Sequence, residues 1–442
     1  MEAIKYTSIA SPFFFLMLGR SLQFPTHSQL LPFYFFPETQ QYMITLNDQQ
    51  LDAVKKCVQW YFTDSVFKPY FTIFGLAGTG KSTVLSIIIK MLGLNNQDVI
   101  FCTLTGKAAL VLRMKGNPAN TVHKTFYSVF KTRTSFGFNL KKHINPNIKL
   151  IVIDEVSMVT EKMLQDILSF GVPTICLGDW FQLPCLGKIN FLIAEPEKYS
   201  DVFLSKPMRQ DDSSGILQLA NITRSCHQLE YGTYNASKVV HFEEIGEKIL
   251  DYDIVLCFSN AMRRKLNLYI RQLKGYTSVY PVKGERIMCL MNNYNYMIDY
   301  QDIPIYIING MFGIVNQDAK ITDYNDLELV DLNFTPDFLD NTNPELSLKP
   351  KCFCQIFEQY QKNPSKEAFI EELYNENIDD ETLGDICMID YGYAASVHKY
   401  QGSEADNVLL VVEDRIPSHI YFRWLYTGIT RAKKSITVAT MN

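Results

Sequence analysis

No Cys-x-x-Cys pair occurs in these 442 residues, and no Cys/His group has the spacing of a structural zinc site. The ten cysteines are scattered, the closest pair being Cys352 and Cys354. Cys102, Cys176 and Cys257 sit inside apolar runs, where a buried, reduced thiol is expected. That pattern suits a cytoplasmic protein. An excess of positive charge is also missing. Lys and Arg number 42 against 47 Asp and Glu, a net charge of −5. By overall charge the molecule does not look like a nucleic-acid binder, and any groove for a polyanion must be a local basic surface. Long apolar runs are absent too. Ser11–Gly19 (SPFFFLMLG) falls far short of the ~20 residues a membrane helix needs. Lys5 before it faintly suggests a signal peptide, but no small-residue cleavage site follows clearly. Repeats and low-complexity tracts are lacking.

What is present begins at Met43, with MITLNDQQLDAV. Residues 1–42 are read as an appendage, compatible with an over-called start codon. Asn47 or Asp48 can cap a helix from Gln49 to about Trp60, with Leu51, Val54 and Val58 on one face. Short continuous apolar runs then predict parallel strands at 71–74, 98–104, 149–155 and 173–179. A second set lies at 253–259, 407–414 and 434–440. Two such groups with helices between them predict two α/β domains in series. Residues 323–385 differ. They hold sixteen Asp and Glu, four Lys and no Arg, and predict a solvated acidic insert in the second domain.

The stretch FGLAGTGKST, Phe74–Thr83, fits G-x-x-x-x-G-K-[ST] at Gly75, Gly80, Lys81 and Ser82. An apolar strand precedes it and a buried helix follows, the context that such a phosphate loop requires. Backbone N–H groups of Ala77, Gly78, Thr79 and Gly80, with the helix start at Thr83, suit phosphate oxygens. Lys81 is expected at the β/γ oxygens and Ser82 at Mg²⁺. Asp154 ends the strand IVID, where it can hold Mg²⁺ through water; Glu155 beside it can polarise an attacking water. The plain alternative for this pair is a helix cap. Gln182, in GDWFQLP, can contact a γ-phosphate; on its own that segment is a polar turn.

These motifs, with LNDQQ, TLTGKAA, ANTVHK, KPMRQ, INGMFGIV, SVHKYQGSEADNV and LYTGITRAKKSITV in order, resemble the superfamily 1 helicases, subfamily B. The resemblance is to the RecD-like and Dda-like enzymes, and in length to a compact phage-type Dda form. It covers roughly residues 43–442. It implies an α/β fold of two RecA-like domains: 43–210 with a β-hairpin pin inserted at about 126–148, then 211–315 and 388–442. A small SH3-like β-barrel is implied at 316–387. It further implies ATP and Mg²⁺ between the domains, and single-stranded DNA across both. Movement would run 5′ to 3′, unwinding a duplex fork in replication, recombination or repair. The expected form is a monomer off the membrane, with single-strand-binding protein or other replication proteins as candidate partners. An RNA helicase and a remodelling ATPase without strand separation stay open as alternatives.

Carried over by position, Gln50 resembles the glutamine that reads adenine. Arg209 and Arg431 resemble the two arginines that meet the γ-phosphate. Gly402 and Glu404 resemble a phosphate- and ribose-contacting pair. Thr105, Gly106, Lys107, Thr121, His123, Ser396 and His398 are the implied DNA track. Trp180 could stack on a base or pack inside its domain. Phe136 and Phe138 are placed at the pin tip, with SFGF as its glycine-centred turn; the alternative is a hairpin packed on its own domain. Two departures stand out: Cys185 where a second proline is common, and Tyr400 where a small residue is usual.

Overall fold

Asn47 starts the first helix by a reciprocal cap. Its Oδ1 accepts from the Gln50 N–H at 2.9 Å, and Gln50 Oε1 accepts from the Asn47 N–H at 3.1 Å. The helix Asp48–Thr63 then buries Ala53, Val54, Cys57 and Val58, the 3–4 spacing that packs it on the sheet behind. The computed structural model describes residues 46–131, 136–185, 187–206, 208, 214–324, 327–340, 342–358 and 384–441. The appendage at 1–42, Arg209 and much of the acidic insert lie outside the described residues.

The first sheet has six strands in the order 119–121, 99–103, 150–153, 174–178, 70–75, 202–204. All its pairings are parallel. The strand Tyr70–Gly75 is therefore interior, and its C-terminal end carries the phosphate loop. The second sheet runs 394–396, 254–257, 405–412, 432–440, 237–241, 232–234. Only its last pairing is antiparallel. Every apolar run expected as a strand is one, because each is buried on both faces between helices.

The insert is larger than its charge suggests. The chain leaves the second sheet after the helix Asn260–Leu273 and rejoins it at Ala394. Between them lie two four-stranded sheets and the hairpin Asn293–Tyr300/Ile303–Ile307. Ile287, Ile305, Val330, Cys352 and Ile389 share one core across these pieces. The boundary expected at 316 thus moves some forty residues towards the N-terminus. Composition misplaced it because the acidic bias begins only at 323, whereas the core-forming half, Arg286–Val315, is apolar. A single closed barrel is not what the described strands form. Two buried ion pairs anchor the insert to the preceding helix: Arg263 to Asp390 at 2.5 Å and Arg271 to Glu285 at 2.7 Å. Removing one partner of such a pair costs about 3–5 kcal/mol.

The pin region forms a hairpin, Tyr127–Lys131 paired antiparallel with Phe136–Leu140. Its turn is not SFGF. Gly137 lies within the second strand opposite Phe130, and a Cβ there would sit 2.0 Å from the Phe130 ring. The glycine makes room for an aromatic ring rather than for a turn. Phe138 pairs with Val129 in the body of the hairpin, not at its tip. Phe136 opens the same strand, and residues 132–135 before it lie outside the described residues.

Candidate nucleotide cleft and nucleic-acid surface

The loop Leu76–Gly80 joins its strand to the helix Lys81–Met91. Gly78 and Gly80 have φ of 75° and 81°, a left-handed backbone that glycine adopts without strain. At Gly80 a Cβ would also fall 2.5 Å from Gln50 Nε2, and at Gly75 2.8 Å from Leu204 and Thr79. Thr79 is buried and donates its hydroxyl to Leu76 O at 2.8 Å, so its side chain braces the loop. Lys81 Nζ donates to the carbonyls of Gly75 at 2.8 Å and Leu76 at 2.9 Å, which places the ammonium inside the loop's curve. Ser82 and Thr83 are exposed on the first helical turn.

Gln50 departs from the role implied for it. Its Nε2 donates to Thr79 O at 3.0 Å and its Oε1 is used in the helix cap. Buried and doubly engaged, it supports the loop instead of presenting a free amide to a base. The KPMRQ segment does cross the loop, where the Met208 N–H donates to Gly78 O at 2.8 Å. Arg209 is the next residue, outside the described set.

Asp154 and Glu155 follow the strand Leu150–Ile153, which Thr174–Gly178 separates from the loop-bearing strand. Asp154 Oδ1 accepts the Glu155 N–H at 2.9 Å, and Glu155 takes the left-handed φ of 57°, which turns its side chain away from a helical course. Burial raises both carboxyls above the ordinary range. The Asp154 charge raises Glu155 further, while Arg431 and Lys81 oppose this. Arg431 is thus near enough for its charge to act on Glu155 from the second domain. The guanidinium is buried and held in place: Nε donates to Thr427 O at 3.0 Å, and Nη2 to Thr430 Oγ1 at 3.2 Å. Gln182 is buried as well, and its Oε1 has no partner among the described residues. A buried amide oxygen left this way suits a ligand's donor or a water.

Between the domains lies a cavity of about 320 Å³. Leu76, Ala77 and Gly78 form one wall; Glu404, Thr430 and Lys433 form the other. The helix Gly215–Arg224 supplies an apolar side through Ile216, Leu217 and Ala220, which the sequence reading missed. Nothing separates those positions from an ordinary amphipathic face. Gly402 has φ 75° and a Cβ there would lie 3.6 Å from Ala108, across the domain boundary.

Of the implied DNA track, Thr121 and Ser396 cap short helices, Val122–Phe126 and Val397–Tyr400. Each follows an edge strand of its own sheet and carries a histidine at its second position. His123 packs on Phe138, with ring centroids 4.7 Å apart, and His398 lies 6.0 Å from Phe258. Burial lowers the pKa of both. Thr105 caps the helix Gly106–Met114. Gly106 faces Ile308 of the insert, where a Cβ would come within 3.2 Å. Lys107 contradicts its expected role. Its ammonium donates to Gly310 O at 3.1 Å and lies over the rings of Phe312 at 4.6 Å and Tyr400 at 5.4 Å. Burial lowers its pKa to about 8. It docks the insert and presents no free charge to a phosphate. Tyr400, the unusual residue of its motif, is part of that contact. Trp180 lies 5.3 Å from Arg224, which also faces Phe181, Phe203 and Tyr426; packing is the role the geometry gives it.

A family model described as an AAA domain matches residues 45–244, and one described as a UvrD-like helicase C-terminal domain matches 391–439. The ATP-dependent RecD2 DNA helicase of Deinococcus radiodurans is 25% identical over 366 residues, 81% of this chain and 45% of that protein. The RecBCD enzyme subunit RecD of Buchnera aphidicola is 25% identical, covering 83% and 69%. This chain spans less than half the length of the first curated relatives it matches. In fold it is similar to Pif1 helicase from Candida albicans, at 16% identity and a TM-score of 0.50, covering 89% of this chain and 94% of that one. A Bacteroides Pif1 bound to ssDNA gives 17% identity and the same TM-score, covering 88% and 92%.

Proposed function

We propose that this chain, a relative of the superfamily 1 subfamily B helicases of the Pif1/RecD type, is an ATP-dependent DNA helicase. One observation carries the reading. The charges of Lys81 in the first domain and Arg431 in the second both act on Glu155, and the first domain also carries the buried Gln182 Oε1 with no partner among the described residues. Left-handed glycines at 78 and 80, with close packing behind Gly75 and Gly80, hold the loop in a curve around the Lys81 ammonium, a form that suits a phosphate chain. Among the described residues no cluster of His, Cys, Asp or Glu could hold a metal by itself. Mg²⁺ would be held by the Ser82 hydroxyl and, through water, by Asp154, together with the nucleotide's phosphates.

Bound ATP would supply the phosphoanhydride to be cleaved. Lys81 exchanges two loop carbonyls for phosphate oxygens. Glu155, its carboxyl raised by burial, accepts a proton from water more readily than an exposed glutamate. Arg431 and Gln182 gain contacts only when the γ-phosphate is present, so they draw the domains together. Arg209 is proposed as the second arginine, and Glu404 as the ribose contact on the opposite wall. Gln50 would reach adenine only by leaving Thr79.

The proposed polymer is single-stranded DNA, which the relatives' names support. Its path crosses the capped helices at Thr121 and Ser396, with movement 5′ to 3′ and the hairpin Tyr127–Leu140 as the pin. Duplexes with 5′ or 3′ single-stranded tails, given ATP and Mg²⁺, test this directly. Unwinding from the 5′ tail is expected. Stimulation of ATPase by RNA but not by DNA of the same sequence would turn the reading to an RNA helicase. ATPase without strand separation would leave a remodelling enzyme.

A further inference from the structure

The turn carrying Gln182 belongs to the first domain in sequence but is fastened by the second. Tyr426 donates its hydroxyl to Asp179 Oδ2 at 2.5 Å. Gln401 Nε2 donates to Leu183 O at 3.2 Å. The Leu183 N–H donates to Thr427 Oγ1 at 2.8 Å. All these groups are buried. Thr427 is the residue where two lines meet. Its hydroxyl accepts from Leu183, the neighbour of Gln182, and donates to Arg423 O at 2.7 Å. Its carbonyl accepts from Arg431 Nε at 3.0 Å. The hydroxyl is therefore satisfied in both directions, and a chain of three bonded residues joins Gln182's turn to Arg431.

We propose that Thr427 is a positioning residue that sets Gln182 and Arg431 in a fixed relation, so that a γ-phosphate is met by both or by neither. The inference deepens the ATP-hydrolysis reading and rests on it. Its physical basis is the one-donor, two-acceptor hydroxyl on a helix with no room to move. Thr427 is fully buried in Tyr421–Ile429, and Arg431 lies in the turn just after that helix with its Nε on the Thr427 carbonyl, so a shift of Arg431 pulls on Leu183 as well. Loss of the hydroxyl leaves a buried Leu183 N–H without an acceptor, and the turn must shift to find one.

Thr427→Val keeps the volume and removes the hydroxyl; Thr427→Ser keeps the hydroxyl. Purified full chains are assayed for ATP hydrolysis with and without single-stranded DNA, with thermal melting to establish folding. Thr427→Val is expected to lower kcat by roughly tenfold or more, in line with a small misplacement of catalytic groups, with KM for ATP within about twofold. Thr427→Ser restores kcat. The deciding readout is the double variant with Gln182→Ala. If Thr427 acts through Gln182, adding Thr427→Val to Gln182→Ala costs no more than about a further twofold. Multiplicative losses, a wild-type kcat in Thr427→Val, or an effect on KM alone overturns the proposal. Tyr426→Phe serves if Thr427→Val does not fold. It loosens the other end of the turn, and it too must be non-additive with Gln182→Ala. Absence of DNA stimulation in the wild type counts against the DNA reading alone, because the cycle can be run on unstimulated hydrolysis. Absence of all hydrolysis overturns both.

Discussion

The two α/β halves share a plan and differ in one terminus. Each has a six-stranded sheet with a short edge strand running into a capped V-H-K helix. In the first half an interior strand ends in a glycine loop with two left-handed residues, curved around the Lys81 ammonium. In the second half the strand Ala432–Thr440 instead follows a helix that carries Thr427, is capped by Thr430 and is followed by Arg431. Glycine gives access, whereas a braced arginine gives a fixed charge. A site split in this way would, on the proposed reading, sense both the nucleotide and the distance between the halves. Binding should therefore be a property of the first half and turnover a property of their meeting.

The strongest break of that comparison is a pair of truncations. Lys81→Ala is expected to remove ATP binding and hydrolysis together. Arg431→Ala should keep ATP affinity within a few-fold while kcat falls by about 10³ or more, the scale of an arginine finger. Equilibrium binding of a fluorescent ATP analogue, beside steady-state hydrolysis, separates the two. Equal loss of binding in both variants would mean that Arg431 only braces the cleft. Glu155→Gln sharpens the division inside the first half, with turnover lost and binding retained.

A smaller effect tests the likeness between the halves. His123→Ala and His398→Ala are each expected to weaken single-stranded DNA binding by roughly fivefold, about the worth of one stacked base. Fluorescence anisotropy with a labelled oligonucleotide measures both. A strong asymmetry would show that only one V-H-K helix touches the strand. His123 also supports Phe138, so Phe138→Ala should slow unwinding several-fold with DNA-stimulated ATPase unchanged. Equal loss of both activities would make that hairpin a structural element.

Much of this comparison was legible from residues alone. Seven apolar runs marked seven strands because strands buried on both faces leave no polar alternation to confuse. The loop, Asp154, Glu155 and Gln182 carry a spacing that chemistry dictates. Arg431 needed a family resemblance, because one arginine between a helix and a strand looks like any other. Thr427 and Tyr426 gave no signal, since their importance lies in partners about 245 residues away, Leu183 and Asp179. Gly137 misled because glycine serves both turns and close ring packing. Lys107 misled for a related reason. Lysine serves both phosphate contact and docking; the resemblance implied the first, and only the docked insert shows its ammonium to be covered.

That covered lysine yields the smallest prediction, a pH effect at the seam between the first half and the insert. The pKa of Lys107 is lowered to about 8 from an ordinary value near 10.5, chiefly by burial. Between these two values the unfolded chain binds more protons than the folded one, so stability contributed at this site rises with pH across that window. Below pH 8 the cost of burying the charge is present in full; above 10.5 it is gone. Lys107→Met keeps the packing stem and removes the charge. The variant should therefore be the more stable at pH 7, with its advantage shrinking steadily from pH 8 to pH 10. Thermal melting of both chains in matched buffers measures this, and a gap that stays constant with pH would show that the ammonium is hydrated. DNA affinity at pH 7 should change less than twofold in the same variant, well under the loss of about 1 kcal/mol or more expected for an ammonium that contacts a phosphate directly.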